Sequence, residues 1–184
     1  FEKIEALRPD LVLAFSDLQA DIAAELARRG LNVVLFNQRS VAEILQMIRM
    51  VGGLVGCQAD AEALADRLAA DLDRIREAGA RFPARCRVFF EEWDDPLISG
   101  IRWVEELVEI AGGAPVFPEL AHASLAKDRI VDPATVIGRD PQVIFASWCG
   151  KKMNKARIAG RPERPAGASV HAGSVDGRCR SATA

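Results

Sequence analysis

Four carboxylates lie within five positions in Glu91-Glu92-Trp93-Asp94-Asp95. Paired carboxylates can divide the roles of general acid and base or gather a hard cation. Successive residues of an extended strand point to opposite faces, so these four cannot all converge. No histidine accompanies them, and no nucleophile elbow, phosphate loop or G-x-G-x-x-G is present. The expectation is a solvated or ligand-rimming loop with no catalytic residue and no metal site. A carboxylate-dependent hydrolase or metal enzyme built on Glu91 to Asp95 is the alternative.

Two tryptophans stand where apolar runs give way to loops, Trp93 after Val88-Phe89-Phe90 and Trp148 after Val143 to Ala146. Each offers a flat apolar wall for a large planar ligand, with an indole N–H for a polar group. The plainer reading packs each over its own strand end. Phe15-Ser16-Asp17 closes a third apolar run in the same way. Lys151 and Lys152 read as surface charges. Cys149 has only Lys151 beside it as a base, a weak case for a reactive thiol. Cys57, Cys86, Cys149 and Cys179 are widely spaced, and with only His122 and His171 they make a poor zinc set.

The elements that hold these positions are legible as pattern. Leu11 to Phe15 and Val33 to Phe36 are short apolar runs typical of strands covered on both faces. Between them a helix opens on Ser16 with Gln19 three residues on, a capping-box spacing, and carries Leu18, Ile22 and Leu26 inward. The β-α-β order predicts a parallel pair. Ser40 to Leu54 is a further helix, loosened by Gly52-Gly53 and Gly56. Ala59 to Gly79 is amphipathic, with Leu64, Leu68, Leu72 and Ile75 three or four apart, and ~30 Å long as a helix. A second α/β block follows: a strand from Val88, a helix with Ile101, Val104, Leu107 and Val108 closed by Gly112-Gly113, and an irregular stretch from Ala114 to Ile130. A short helix opens at Asp132-Pro133, and a strand runs from Val143 to Ala146. Ile4-x4-Pro9-x-Leu11 and Val136-x4-Pro141-x-Val143 share one spacing. That echo favours two lobes joined by a strut over one sheet with a crossover helix.

The whole has 184 residues, 49% hydrophobic and 27% charged, with a net charge of −2. Such a chain is an ordinary globular sequence, with no charge argument for nucleic acid or an anionic membrane. No apolar run is long enough to span a bilayer. No signal peptide is present, and the chain opens on Phe1 rather than Met.

The series RPDLVLAF, NVVLFN, RVFFEEWDDPLISGIRWVEELVEIAGG and DPQVIFASWCGKK resembles the periplasmic cobalamin-binding proteins, substrate-binding subunits of ATP-driven importers related to siderophore and haem binders. The likeness covers about residues 1 to 160 and is most specific from Ser99 to Gly113. It implies an α/β fold of two lobes with parallel-type sheets joined by a single long rigid helix, ligand held between them, and no catalysis. The corresponding boundaries are a first lobe at 1–56, an interdomain helix at 57–80, a second lobe at 81–160 and a disordered or out-of-frame tail at 161–184. Ligand-binding residues implied are Phe15, Ser16, Trp93, Asp94, Ile98 and Trp148. Glu2 is implied to dock on a permease, while its second-lobe counterpart is Ala134, with Asp132 two residues away. The ligand is cobalamin or a similar chelate, with no resident cofactor. A siderophore or haem binder of the same fold is the other ligand alternative. The partner is a membrane permease, the protein is monomeric, and its compartment is the periplasm or its equivalent. Set beside that family the chain reads as truncated, which predicts incomplete sheets, weak binding, a tendency to associate and no stable contacts from Glu163 onward.

Overall fold

The computed structural model describes residues 1–148, 150, 152–160 and 168–172. They divide into two compact units, Phe1–Ala65 and Asp66–Ala184.

In the first unit, helix α1 (Glu2–Ala6) leads to strand β1 (Val12–Phe15), a 3-10 turn (Asp17–Gln19), helix α2 (Ala20–Arg28), strand β2 (Val33–Phe36) and helix α3 (Val41–Leu54). Helix α4 (Gln58–Gly79) runs unbroken for 22 residues, its first eight in this unit. β1 and β2 pair in parallel, Val12 opposite Val33 and Phe15 opposite Phe36, as the β-α-β order predicts. α3 begins with a full capping box: the Glu43 N–H donates to Ser40 Oγ at 3.2 Å, and the Ser40 N–H donates to the Glu43 carboxylate at 2.9 Å. At Ser16 the expected box is incomplete. Ser16 Oγ accepts from the Leu18 N–H at 3.3 Å, but the Gln19 side chain accepts from Phe15 at 2.8 Å, and only a 3-10 turn results.

Two expectations of burial fail here. Of Leu18, Ile22 and Leu26 only Leu26 is buried, and on β1 only Ala14 is, with Leu13 and Phe15 exposed. The described sheet has two strands, too narrow a surface to cover the stripe of α2 or both faces of β1. Gly52 does not loosen α3. It lies buried inside the helix, where a Cβ would stand 2.1 Å from the Cβ of Ala61, so the missing side chain lets α3 and α4 approach. Ala61, Ala65 and Gly79 are the buried residues of α4, while Leu64 and Ile75 are exposed.

The second unit takes the rest of α4, then strands β3 (Cys86–Asp94) and β4 (Leu97–Ser99), helix α5 (Arg102–Ile110), strand β5 (Gly113–Pro115), 3-10 turns at Pro118–Leu120 and Ala126–Arg129, helix α6 (Pro133–Arg139), strand β6 (Val143–Ala146), helix α7 (Lys155–Ala159) and strand β7 (Ser169–Ala172). The sheet order is β4-β3-β6-β7, with β5 paired to the start of β3. All pairings are parallel except β3 with β4, a hairpin with a register shift between Glu91 and Trp93. The stretch expected as a loop is therefore strand as far as Asp94.

β7 corrects the expectation that nothing from Glu163 onward makes stable contacts. It pairs with β6 from Ser169 opposite Val143 to Ala172 opposite Ala146, and Val170 is buried. A lone valine between polar residues carries no pattern of its own, and its inward position is enough to seat β7 beside β6. The rest of 161–184, apart from Ala168, lies outside the described residues.

The core of this unit gathers Phe89, Phe117, Val136, Ile144, Trp148 and Ile158, with Phe89 and Phe117 edge to face at 5.7 Å between centroids. Gly79 and Gly112 meet at the ends of α4 and α5. A Cβ on either would fall within 2.8 Å of the other's backbone or its neighbour's, and Gly112 has φ +85. Asp132 caps α6 by accepting from the Thr135 N–H at 3.2 Å, with Pro133 in the first turn.

Candidate functional site

In parallel sheets ligands are met at the carboxyl ends of strands. In the first unit that end is Phe15, a residue 55% exposed. Ser16 follows with φ 73 and ψ 145, a region nearly reserved for glycine and costing about 1–3 kcal/mol. Its surroundings hold it there. The Ser16 N–H donates to the Phe36 carbonyl at 2.7 Å, and its hydroxyl donates to Asp17 Oδ1 at 2.9 Å while accepting from Leu18. Arg39 donates to the same Asp17 oxygen at 2.7 Å. The hydrogen bond from Ser16, then the Arg39 charge, hold the Asp17 carboxyl below its usual range. Ser16 is buried with its hydroxyl engaged in its own turn. It positions Phe15 rather than presenting a contact, which corrects the expectation for Ser16.

In the second unit the four carboxylates part company. Glu91 is 1% exposed and accepts the Trp148 indole N–H at 2.9 Å. Glu92 faces Arg129, Asp94 is buried, and Asp95 stands exposed at the hairpin tip. No paired acid and base results, in keeping with strand alternation.

Trp148 is 2% exposed and belongs to the core, so the expectation of a ligand wall there is corrected. Glu91 on β3, the strand paired with β6, satisfies the indole and holds the ring in the core. Asp94, expected as a ligand contact, is likewise turned in. Trp93 is half-buried against the core, its indole N–H donating to the Asp95 carbonyl at 3.0 Å. Ile98 lies opposite Trp93 in the hairpin and bridges to Ile130. These two keep some exposed surface.

A buried charge group escaped the sequence reading. Arg129, 1% exposed, donates through both terminal nitrogens to Glu92 at 2.6 and 3.1 Å, and also to the Ser99 carbonyl. Glu105 is 5% exposed, and burial pushes its carboxyl up to about 7 against the pull of the Gly100 amide and the Arg129 charge. Nothing local marks Arg129, which sits in a stretch without periodicity. Glu105 sits on a helix with three other charged residues, one of an ordinary polar set by composition.

Glu2 is exposed at the start of α1, 3.9 Å from Arg29. Ala134 lies in α6, and Asp132 is engaged as its cap. No group of three or more His, Cys, Asp or Glu among the described residues could hold a metal. Cys57 and Cys86 are free thiols, while Cys149, Cys179 and Lys151 lie outside the described residues. No described helix is long and apolar enough to cross a membrane. A cavity of about 240 Å³ in the second unit, lined by Val88, Val108, Phe145 and His171 among others, falls short of the roughly 300–1,000 Å³ of drug-sized ligand sites.

Solved structures share this fold. An ABC transporter substrate-binding protein from Listeria monocytogenes EGD-e is 21% identical with a TM-score of 0.68, over 86% of this chain and 59% of its own. The periplasmic vitamin B12 binding protein BtuF of Vibrio cholerae is 24% identical with a TM-score of 0.62, over 79% and 56%. The periplasmic haem-binding protein RhuT of Roseiflexus sp. RS-1 is 23% identical with a TM-score of 0.63, over 79% and 56%. The chain thus spans less than two thirds of each, and all three are binding proteins rather than enzymes. No curated protein matches the sequence. The family of periplasmic binding proteins matches residues 1–171, nearly the whole described chain, and this protein belongs to that family.

Proposed function

We propose that this protein is the substrate-binding subunit of an ATP-driven importer, which captures a corrinoid or related metal chelate outside the cytoplasm and delivers it to a membrane permease without catalysis. The observation that carries the reading is the family match over residues 1–171. Likeness to a vitamin B12 binder supports the ligand class. Phe15, exposed at the carboxyl end of a parallel strand, offers the flat apolar surface that a corrin or porphyrin ring stacks on. Trp93 and Ile98 extend the reading to the β3–β4 hairpin. Glu2, exposed on α1, takes the docking role, where a carboxylate gains by pairing with a permease arginine. The protein acts as a monomer towards both partners.

Haem is the second reading, favoured by likeness to a haem-binding protein. Equilibrium dialysis and visible-absorbance titration of the full chain with cyanocobalamin and with haemin separate the two. Tighter binding of cyanocobalamin is expected. Binding of haemin alone establishes the second reading, and binding of neither overturns both.

A further inference from the structure

The carboxyl end of β2 opens on a cavity of about 230 Å³ within the first unit, walled by Asn37, Gln38 and four residues of α3. Those four, Glu43, Gln46, Met47 and Met50, fall three, four and seven apart and so share one stripe of the helix. Gln46 is exposed, Met50 is 49% exposed and Met47 is half-buried, so the stripe is not committed to packing. The cavity adjoins the Phe15 turn. Phe36 lies opposite Phe15 in the sheet, and Asn37, the next residue, accepts the Asp17 N–H through Oδ1 at 3.4 Å.

Three of these lining residues are carboxamides, and the fold makes little use of them. Gln38 and Gln46 make no side-chain hydrogen bond among the described residues, and Oε1 of Gln38 is buried without a partner. Asn37 has its Oδ1 engaged by Asp17 and no described partner for Nδ2. The two thioethers add pliable apolar surface. Glu43 is the ionisable residue of the lining, and its carboxylate accepts from the Arg39 and Ser40 N–H groups at 2.6 and 2.9 Å. No lysine or arginine among the described residues lines the cavity. Arg39, the next residue in the loop, turns its guanidinium to Asp17 at 2.7 Å.

We propose that this cavity is a subsite for the carboxamide side arms of a corrinoid whose ring rests on Phe15. The inference rests on the transport reading and sharpens its ligand class. A corrin rim carries methyl groups and short neutral amide arms, and the cavity offers thioethers to the first and amides to the second. A primary amide both donates and accepts, so amide against amide fills the hydrogen-bonding groups on both sides. A polar group left unfilled out of water is costly. A haem edge instead carries two carboxylates. They accept but do not donate, they meet the Glu43 charge, and no lining cation offsets them. The volume falls below that of a site for a whole drug-sized ligand and suits side arms. The cavity thus selects between two rings that a phenylalanine face alone does not tell apart.

Visible-absorbance titration of the full chain tests the subsite, with cyanocobalamin, haemin and each peripheral monocarboxylic acid of cyanocobalamin as probes. In each acid a single arm exchanges its amide for a carboxylate. One of these acids is expected to bind about tenfold more weakly than cyanocobalamin, the scale of one mismatched polar group. Gln46→Lys, a change at an exposed position, is expected to restore that acid and no other. Equal affinity for cyanocobalamin and all its acids overturns the subsite without any variant, while the parent's cyanocobalamin binding still upholds the transport reading. A weakened acid that Gln46→Lys does not restore overturns it too, as does tighter binding of haemin than of cyanocobalamin. If the parent binds neither ring, the transport reading itself fails and the subsite falls with it.

Discussion

The Trp148 indole N–H donates to the Glu91 carboxylate at 2.9 Å, with both side chains buried in the second unit. The bond joins β6 to β3 beneath the hairpin and makes Trp148 a core residue. Trp148→Ala is expected to cost about 3–5 kcal/mol, the range for emptying a large aromatic site. Trp148→Phe keeps most of the packing but removes the donor, and is expected to cost about 1–3 kcal/mol. Urea unfolding checks both, and an unchanged midpoint for Trp148→Ala would return the ring to the surface.

Phe15 makes the opposite case. The residue is 55% exposed, so Phe15→Ala is expected to shift stability by no more than about 0.5 kcal/mol. If the chelate stacks there, the same change weakens binding by about 1–3 kcal/mol, roughly 5- to 150-fold. Cyanocobalamin and haemin titrations of the variant beside the parent decide it. Unchanged affinity for whichever chelate binds would remove Phe15 from the site.

Glu105 fixes a pH dependence of stability. Its folded carboxyl, pushed by burial from 4.5 to about 7, holds a proton more firmly than the unfolded chain does. Stability is therefore highest at low pH with respect to this group and falls as pH rises from about 4.5 to 7, by at most about 3 kcal/mol. Glu105→Gln cannot ionise, and its unfolding free energy is expected to lack that slope. Parallel slopes for parent and variant across this window would show that Glu105 titrates alike in both states.

Elements set by local pattern were legible. The apolar runs at Val12 and Val143, the helix after Ser40 and the long α4 all fall within a residue or two of their expected places. What pattern missed depends on partners distant in sequence. The fate of Trp148 is decided by Glu91, 57 positions away. Leu18 and Ile22 read as inward by spacing, yet spacing says nothing of how wide a sheet waits to cover them. β4 and β7 are three and four residues long, and each is set by the strand it pairs with, β3 and β6 respectively. Arg129 was invisible for the same reason, since Glu92 and Ser99 give it a place and its own neighbours do not. At the candidate site, Phe15 and Trp93 keep exposed surface, whereas Ser16, Asp94 and Trp148 turn inward.

Gly52 and Gly53 adjoin in α3 and are expected to respond in opposite senses to one substitution. In a helix interior Gly→Ala gains up to about 1 kcal/mol, because alanine restricts the unfolded chain and suits the helix. At Gly53 nothing lies within 4 Å of the added Cβ, so Gly53→Ala is expected to stabilise by about 0.5–1 kcal/mol. At Gly52 the added Cβ would meet the Ala61 Cβ at 2.1 Å and the Cys57 carbonyl at 3.0 Å. Both neighbours are rigid, one a buried methyl on α4 and the other backbone that accepts the Ala61 N–H. α3 must move off α4, and overpacking of this kind costs about 1–3 kcal/mol, more than the propensity gain. Gly52→Ala is therefore expected to lower the thermal midpoint and Gly53→Ala to raise it. If Gly52→Ala proves as stabilising as its neighbour, the close approach of α3 to α4 is wrong.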